Sequence, residues 1–456
     1  MRFLKFVFSR FFICITTIAA LVAAIIFLCV YIHSLLPAAA AIAVAYLFSL
    51  IAALVLLAGD SPAEFKCVWL IVIIALPAAG AALYFLSRIS RSRDLPLSAP
   101  PASSCISYEY FADGATFLDR IISLVSTAKR QVFLEFYIIS KGHIWGAFYR
   151  ELKKALDRGV EVKIIYDGLG STLRAPKRDF KELEKAGAQI KVFNKLLPLP
   201  VSRLNFRDHR KIAVIDGNAV FLGGVNVADE YANLTSPHGY WKDGGALFFG
   251  NIAAVYSRIF LAAFNNEEPD WGAYMPQTTE NYPLTPVVDR PESGGYCEDL
   301  LASLLYSAKE RVHIFTPYFC MGDKLHAALI FAARRGTDVK IIIPGTPDKK
   351  LTYAVTRSYC ERLAGEGIKI YTYTPGFMHF KAVVCDGAAL IGSYNFDFRS
   401  MRLNYECGVL ADRELAYEIE RDFASCLALC KRYAGKKRRA ADRAALTLLR
   451  LFSPLV

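Results

Sequence analysis

Two short stretches of this sequence place a histidine and a lysine two positions apart, ahead of an aspartate. The spacing is H-x-K-x4-D in both, and a glycine-rich turn with an asparagine follows each at a similar distance. The residues are His209, Lys211, Asp216 and Asn226 in the first copy, and His379, Lys381, Asp386, Ser393 and Asn395 in the second. Because chance rarely produces two such stretches in one chain, we interpret both motifs as catalytic.

Histidine and lysine at this spacing suit a phosphate substrate. On a β-strand, residues i and i+2 point to the same face, so each strand would present an imidazole beside an ammonium. The ammonium can balance phosphoryl charge, while Asn226 and Asn395, with Ser393 as a further donor, can bind the same oxygens. One histidine can attack phosphorus, and a second can protonate the leaving alkoxide and then deprotonate the acceptor. Since each copy supplies one histidine, we predict a site between two halves, near a pseudo-twofold axis.

A histidine in such a role is usually held by a carboxylate at its other ring nitrogen. Two candidates follow the motifs at similar distances, Asp243 and Glu406. We expect Asp243 to orient His209, with structural salt bridging as the alternative for both carboxylates. No H-E-x-x-H sequence or close carboxylate cluster indicates a metal site, so lysines would take the place of a metal ion.

The elements that must position these residues alternate between strand-like and helical patterns, which is typical of an α/β fold. Similar segments recur along the chain: RGVEVKIIYDG at 158–168 matches RGTDVKIIIPG at 335–345. Such self-similarity indicates an internal duplication. We therefore predict two domains of one fold, at 105–285 and 286–432, each a mixed β-sheet flanked by helices.

The first ninety residues hold most of the apolar excess in a chain that is 54% hydrophobic, with a mean hydropathy of +0.30. We predict a membrane region at 1–93, with candidate transmembrane helices at 11–32, 38–58 and 68–86, and a linker at 94–104. Both ends of this region are basic and should prefer the cytosol, whereas three full spans would separate them. Either the first run is re-entrant or interfacial, or one end breaks the rule. We expect the last two runs to form a hairpin with its acidic loop outside, which leaves the rest of the chain in the cytosol.

The net charge of +12 suits an anionic partner, either a membrane surface or a nucleic acid. The apolar N-terminus favours the membrane. The tail, 433–456, changes from basic to apolar, so we predict an interfacial amphipathic element, with a solvated terminal helix as the alternative. The eleven cysteines are scattered without C-x-x-C spacing, and we interpret them as reduced thiols.

The two motifs resemble those of the phospholipase D superfamily. Further segments resemble the bacterial cardiolipin synthases over essentially the whole chain, including EFYII, YDGLGS, NFRDHRKIAVIDG, YTPGFMHFK, GSYNFDFRSMRLNYE and LFSPLV. The resemblance implies duplicated phospholipase D-type domains in a pseudo-twofold arrangement, acting without metal or cofactor. It implies that one phosphatidylglycerol gives its phosphatidyl group to a histidine, releasing glycerol, and that a second accepts the group to form cardiolipin. It further implies that His209 is the nucleophile and His379 the acid and base.

Other functions remain open at this point. A hydrolytic phospholipase D, or a phosphatidyltransferase with another acceptor such as serine or ethanolamine, would carry the same motifs. A nuclease of the superfamily and a non-enzymatic membrane scaffold are less compatible with three apolar runs and two complete motifs. We therefore expect a multi-pass enzyme of the cell membrane whose partners are phosphatidylglycerol and other anionic lipids, not nucleic acid.

Overall fold

The computed structural model describes residues 10–33, 38–59, 61, 63–88, 100–195, 205–267, 269, 271, 282–291, 295–434 and 450. The chain divides into two compact units. The first holds Met1–Asp94 and Leu196–Asn205, and the second holds Leu95–Lys195 and Phe206–Pro454. Most of the predicted amphipathic tail and much of the predicted linker lie outside the described residues.

The first unit is helical. Its helices are α1 (Arg10–His33), α2 (Ala38–Ala58), α3 (Ala63–Ala75) and α4 (Ala79–Arg88). Within the described residues one segment is long and apolar enough to cross a membrane, Ala40–Ala58, with a mean hydropathy of 2.7. Shorter apolar segments lie in α1 and α3. The prediction of a single helix over 68–86 was wrong, because Pro77 cannot continue the backbone hydrogen bonding and the chain breaks there.

The second unit begins with a sheet and its helices. The elements are β1 (Ser103–Cys105), β2 (Ser107–Phe111), α5 (Gly114–Thr127), β3 (Gln131–Phe136), α6 (His143–Asp157), β4 (Glu161–Asp167), α7 (Lys177–Lys185), β5 (Gln189–Phe193), β6 (Arg207–Asp208), β7 (Lys211–Ile215), β8 (Ala219–Gly223), β9 (Tyr240–Lys242), β10 (Gly245–Phe249) and α8 (Asn251–Asn265). Seven of these strands form one sheet in the order β2-β10-β8-β7-β3-β4-β5. We call β2 to α8 the first half.

A second set of elements follows. It comprises β11 (Tyr282–Asp289), α9 (Tyr296–Ser307), β12 (Arg311–Phe315), β13 (Phe319–Cys320), α10 (Asp323–Arg334), β14 (Asp338–Pro344), α11 (Lys350–Ala364), β15 (Lys369–Tyr373), β16 (Gly376–Met378), β17 (Ala382–Cys385), β18 (Ala388–Gly392), β19 (Phe396–Asp397), α12 (Phe398–Arg402), β20 (Asn404–Ala411), α13 (Arg413–Ala428) and β21 (Cys430–Arg432). We call β11 to α13 the second half. The boundary predicted between residues 285 and 286 falls inside β11.

The two halves repeat one strand order. In the second sheet, β11-β20-β18-β17-β12-β14-β15 corresponds strand for strand to the first sheet, with β1 and β21 added at its edges. In both, the central strands β3-β4-β5 and β12-β14-β15 are parallel, and β7 and β17 run antiparallel to them. The predicted duplicated mixed α/β fold is thereby confirmed.

The halves share one buried core. It combines apolar residues of both sheets with α8 and α13; Val214, Phe260, Phe380 and Phe423 are among its members. The phenol of Tyr256 on α8 donates to the carbonyl of Gly408 in the second half. Burial of this shared apolar surface holds the two sheets in a fixed relation, so residues from both halves can meet in one site.

Candidate active site

His209 reaches the second half through a short strand pair. β6 runs parallel to the start of β20, with Asp208 beside Tyr405. The N–H of His209 then donates to the carbonyl of Tyr405 at 2.9 Å. This pairing brings His209 beside the next residue of β20, Glu406.

His379 reaches the first half in the same way. β16 runs parallel to β9, with Met378 beside Lys242. The N–H of His379 donates to the carbonyl of Lys242 at 2.8 Å. The residue that follows Lys242 is Asp243, so His379 lies beside a carboxylate of the first half.

The histidine–carboxylate pairs are therefore crossed between the halves. His209 Nδ1 lies 2.9 Å from Glu406, and His379 Nδ1 lies 2.5 Å from Asp243. Our expectation that Asp243 orients His209 was wrong, because each carboxylate lies one residue past a strand pair that joins it to the opposite half. Each half thus orients the histidine of the other.

Further hydrogen bonds fix the two carboxylates. Glu406 accepts from the hydroxyls of Ser393 and Ser400 and, at 3.1 Å, from the amide of Asn404. Asp243 accepts from the N–H of Gly244 at 2.9 Å. A Cβ at Gly224 would lie 2.3 Å from Asp243 Oδ1, so the glycine of this turn leaves room for the carboxylate.

The hydroxyl of Ser393 does not have the role that we predicted. We expected its hydroxyl to face phosphate, but it donates to Glu406 and accepts from the N–H of Cys407 at 3.0 Å. The side chain is fully buried. In this structure Ser393 holds a carboxylate of the site rather than offering a donor to substrate.

The two asparagines are buried and hydrogen-bonded within their own halves. Asn226 accepts from the N–H of Ile138 at 3.0 Å and donates to the phenol of Tyr231 at 2.7 Å. An amide NH2 has two hydrogens, so one remains for a ligand. Asn395 hydrogen-bonds Asp397, and within the described residues its Oδ1 has no partner. Both amides are buried at the ends of the turns in which sequence placed them.

Both lysines lie beside their histidines, as the i and i+2 spacing predicts. The ammonium of Lys211 donates to the carbonyl of His209, and that of Lys381 to the carbonyl of His379. The two centres differ in two contacts, because Lys381 Nζ also lies 2.7 Å from Nδ1 and 3.0 Å from Nε2 of His379. No corresponding contact to Nε2 of His209 occurs among the residues that the structure describes.

Burial dominates the electrostatics of the site. It raises the pKa of Asp243 to about 6 and that of Glu406 to about 7. It also lowers the pKa of Lys211 to about 8 and that of Lys381 to about 7. All four groups consequently change charge near neutral pH, where exposed groups of the same kinds would not.

The histidine rings are neutral in the absence of substrate. Burial, followed by the charge of the nearby lysines, lowers the pKa of both His209 and His379 well below its usual range. With Nδ1 held by a carboxylate, the proton of a neutral ring belongs on Nδ1. At His209 the lone pair of Nε2 is then free for attack on phosphorus, whereas at His379 Nε2 faces the ammonium of Lys381.

Aromatic side chains surround the rings, and the sequence reasoning missed them. The ring of Tyr137 lies 5.2 Å from that of His209. Tyr231 and Trp241 lie 5.2 and 5.1 Å from His379. Each of these aromatic residues is close in sequence to a segment that we had singled out: Tyr137 lies within EFYII, Tyr231 follows Asn226, and Trp241 precedes Asp243. This closeness could have identified them. These rings exclude water from one side of each imidazole.

Arg210, between His209 and Lys211, belongs to a separate buried network. Its guanidinium lies 2.6 Å from Glu135 and 3.0 Å from Asp208. Burial raises the pKa of Glu135, which shares a hydrogen bond with Asp208. The network anchors the segment between β6 and β7 that carries His209.

Asp216 and Asp386 lie at the far ends of their strands, away from the histidines. Asp216 accepts N–H bonds from Lys129, Arg130 and Gln131 at 2.7–3.1 Å. Asp386 accepts the matching three from Lys309, Glu310 and Arg311. Both have a left-handed backbone, with φ of 53° and 52°. This geometry gives them a structural role instead of the catalytic role that we predicted.

Replacing Asp216 by Ala is expected to lower the free energy of unfolding by about 2 kcal/mol, because three N–H groups lose their acceptor. The turnover of the folded enzyme should stay within about twofold of wild type. Asp216→Asn keeps an acceptor oxygen and tolerates the left-handed backbone, so it should destabilise less. Denaturant unfolding with activity per folded molecule checks this; a turnover loss above about a hundredfold in Asp216→Asn would restore a catalytic role.

Two duplicated sheets with crossed histidine–carboxylate pairs define a phospholipase D-like fold and site. Within the described part of the chain, no group of three His, Cys, Asp or Glu side chains is arranged to hold a metal ion. A family profile described as "Cardiolipin synthase, PLD-like domain" matches residues 121–236 and 301–427, which include both motifs.

Relatives and a solved structure agree with this class. The chain is 34% identical over 362 residues to an uncharacterized protein of Streptococcus mutans, which covers 76% of this chain and 78% of that protein. It is 31% identical over 365 residues to a cardiolipin synthase of Oceanobacillus iheyensis, covering 76% and 75%. The fold is similar to that of a phosphatidylserine synthase of Haemophilus influenzae, with a TM-score of 0.62, 15% identity and coverage of 78% and 97%. The chain belongs to the cardiolipin synthase family, which confirms the resemblance.

Proposed function

We propose that this protein is a phosphatidyltransferase that makes cardiolipin and glycerol from two molecules of phosphatidylglycerol. The observation that carries the proposal is the pair of neutral histidines, each beside a buried lysine and each held by a carboxylate of the opposite half. Two histidines, one from each half, suit a reaction with two phosphoryl-transfer steps. Membership of the cardiolipin synthase family supports this product.

In the first step, Nε2 of one histidine attacks the phosphorus of a phosphatidylglycerol. The bond from phosphorus to the glycerol oxygen breaks, and the other histidine must supply the proton that the leaving oxygen takes up. Lys211 and Lys381 stabilise the charge on the phosphoryl oxygens. The phosphate itself favours protonation of the second ring, since it places negative charge in the site.

In the second step, the hydroxyl of another phosphatidylglycerol attacks the phosphohistidine. The histidine that donated a proton now removes one from this hydroxyl, and the nitrogen–phosphorus bond breaks to give cardiolipin. Water as the acceptor would give phosphatidic acid instead. The aromatic rings beside the histidines support transfer over hydrolysis, because they restrict water.

His209 is the proposed nucleophile and His379 the acid and base. Nε2 of His209 has no hydrogen-bond partner among the described residues, so its lone pair can face phosphorus. Lys381 Nζ lies 2.7 Å from Nδ1 and 3.0 Å from Nε2 of His379, which suits a ring that exchanges a proton with its surroundings. This observation agrees with the order that the family resemblance implies.

The product decides between this function and its rivals. Purified full-length protein with labelled phosphatidylglycerol in mixed micelles should release equal amounts of cardiolipin and glycerol. Phosphatidic acid without cardiolipin would favour a hydrolase, and a new lipid formed only with added serine or ethanolamine would favour another acceptor. Salt-sensitive cleavage of DNA in place of lipid turnover would identify a nuclease.

The pH profile of kcat/KM is expected to be bell-shaped with a maximum near pH 7. The carboxylates work ionised, so activity should fall as pH drops through about 6–7, where Asp243 and Glu406 take up protons. The lysines work protonated, so activity should fall as pH rises through about 7–8. In Lys381→Arg the alkaline limb should move upward, since arginine stays charged. An unmoved limb in both Lys381→Arg and Lys211→Arg would assign it to another group.

The proposed partners are phosphatidylglycerol and other anionic lipids, with no role for nucleic acid. The proposed location is the cell membrane, with several passes and the second unit in the cytosol. One segment apolar enough to cross a bilayer and a net charge of +12 support a protein anchored beside anionic head groups.

A further inference from the structure

Helices α3 and α4 fold back on each other. The rings of Trp69 in α3 and Tyr84 in α4 lie 5.5 Å apart. A Cβ at Gly80 would lie 2.4 Å from the carbonyl oxygen of Val72, whereas residues eight apart on one helix are separated by about 12 Å. The chain therefore reverses at Leu76–Ala78, and the glycine lets the two backbones touch.

The turn of this hairpin meets the middle of α2. The N–H of Ala78 donates to the hydroxyl of Ser49 at 2.8 Å, and Ser49 lies one residue past the midpoint of the 21-residue helix. With 13 residues, α3 is about 20 Å long, against about 31 Å for α2. The hairpin thus covers only part of the length of its neighbour.

Both ends of the hairpin lie at the C-terminal end of α2. The ammonium of Lys66, early in α3, donates to the carbonyl of Leu57 at 2.9 Å. The guanidinium of Arg88, which ends α4, lies 3.9 Å from the position of a Cβ at Gly59. The hairpin therefore begins and ends at one level, beside the last turn of α2.

The backbone of the turn suits an apolar medium. Non-helical backbone at membrane depth requires partners inside the protein. Pro77 has no N–H, and the N–H groups of Leu76, Ala79 and Gly80 all donate to nearby carbonyls at 2.6–3.0 Å. Ala78 is satisfied by the buried Ser49, so no N–H of the turn needs water.

We propose that α3 and α4 form a re-entrant hairpin, residues 63–88, that enters one leaflet to the depth of Ser49 and leaves on the side it entered. The partner of its outer apolar surface, which includes the exposed Ile74, is the acyl chains of that leaflet. In this topology α1 and α2 cross the bilayer, and the third apolar run does not.

This topology resolves the conflict between the two basic flanks. Arg2 and Lys5 precede α1 and Arg10 begins it, and the residues from the end of α4 onward include Arg88, Arg91 and Arg93. Two full spans and a re-entrant hairpin place both flanks on one side, as the preference of arginine and lysine for the cytosol requires. The acidic loop before α3 then lies in the cytosol, opposite to our sequence-based expectation.

Cysteine labelling of the full-length protein tests the topology. Single cysteines at Ser34, Ser61 and Ser90, in a background with Cys14, Cys29, Cys67 and Cys430 replaced by Ser, are exposed to a membrane-impermeant maleimide. Position 34 should react only in intact cells, and positions 61 and 90 only in inverted vesicles. Reaction of position 61 in intact cells, with position 90 still restricted to inverted vesicles, would make the third run a full span and overturn the proposal.

The depth of the turn has its own test. In nanodiscs, Ser49→Ala is expected to speed hydrogen exchange of the 76–80 amides by at least about tenfold, because Ala78 loses its acceptor. Ser49→Thr should restore slow exchange. Ser87→Ala is the matched control, since among the described residues that hydroxyl donates only to the carbonyl of Tyr84 in its own helix. Exchange that is already fast in the wild type, or unchanged in Ser49→Ala, would show a solvated turn and overturn the proposed depth.

Discussion

Replacing His209 or His379 by Ala is expected to abolish cardiolipin formation while the protein still folds. Without His209 no phosphohistidine forms, and turnover should fall by at least about 10⁴-fold. Without His379 no group moves the proton in either step, and the loss should be on the order of 10²–10⁴-fold. Radiolabelled phosphatidylglycerol with thin-layer separation of products measures both losses.

The two variants should also fail in different ways. With a substrate carrying a 4-nitrophenyl leaving group, which needs no proton, His379→Ala should release one equivalent of nitrophenol and stop as a phosphatidyl adduct on His209. Mass spectrometry locates the adduct. An adduct on His379 in the complementary variant would reverse the two roles, and near-wild-type activity of His379→Ala would end the two-histidine mechanism. His143→Ala, at an exposed position on α6, is the matched control and should match wild type.

Replacing Asp243 by Asn, or Glu406 by Gln, is expected to lower kcat on the order of 10²–10⁴-fold. Each change keeps the size of the side chain but removes the charge that stabilises the imidazolium and fixes its tautomer. The loss should appear in kcat more than in KM, because neither carboxylate is placed to touch lipid. Steady-state kinetics in mixed micelles gives this division, with Glu109→Gln, at a half-buried ion pair with Arg120 outside the site, as control.

The crossed pairing makes a sharper prediction about which histidine responds. In protein with ¹⁵N-labelled histidine, Asp243→Asn should shift the ring nitrogens of His379 and leave those of His209 within the line width. Glu406→Gln should do the reverse. Assignment follows from the His209→Ala and His379→Ala spectra. If Asp243→Asn moved His209 instead, the carboxylates would pair within each half and the crossed arrangement would be wrong.

Much of the site could be predicted from the spacing of nearby residues in the sequence. The i and i+2 spacing of His209 and Lys211 fixed their common side, and the second copy gave His379 and Lys381 the same geometry. The repeated strand-and-helix segments predicted two equivalent α/β domains, because a period-2 pattern and its duplication are written in neighbouring residues.

The predictions that were wrong for Asp216, Ser393 and the partner of His209 share one cause. Each depends on a contact between distant parts of the chain, which the spacing of residues in the sequence does not reveal. The motif spacing of Asp216 would be the same whether its role were catalytic or structural. The structural role becomes visible only in the hydrogen bonds that Asp216 accepts from the N–H groups of residues 129–131. Ser393 could face phosphate or Glu406, depending on how β18 and β20 pair. The partner of His209 is almost two hundred residues away, set by the parallel pairing of β6 with β20.

The prediction of one helix over the third apolar run, 68–86, was wrong for a different reason. Its composition is that of a spanning helix, and Pro77 alone permits either a kink or a reversal. The reversal depends on Gly80 touching Val72 and on Ser49 receiving the N–H of Ala78. Neither contact is visible in the hydropathy of the run itself.

The crossed carboxylates have a consequence for how the enzyme is made. The ribosome delivers the first half while the second is still untranslated, and domains generally fold in that order. At that moment His209 has no carboxylate partner, because Glu406 has not yet been synthesised. This order prevents premature lipid cleavage by an incomplete chain. The pair of His209 and Glu406 can form only after β20, one of the last strands, has been synthesised and has paired with β6.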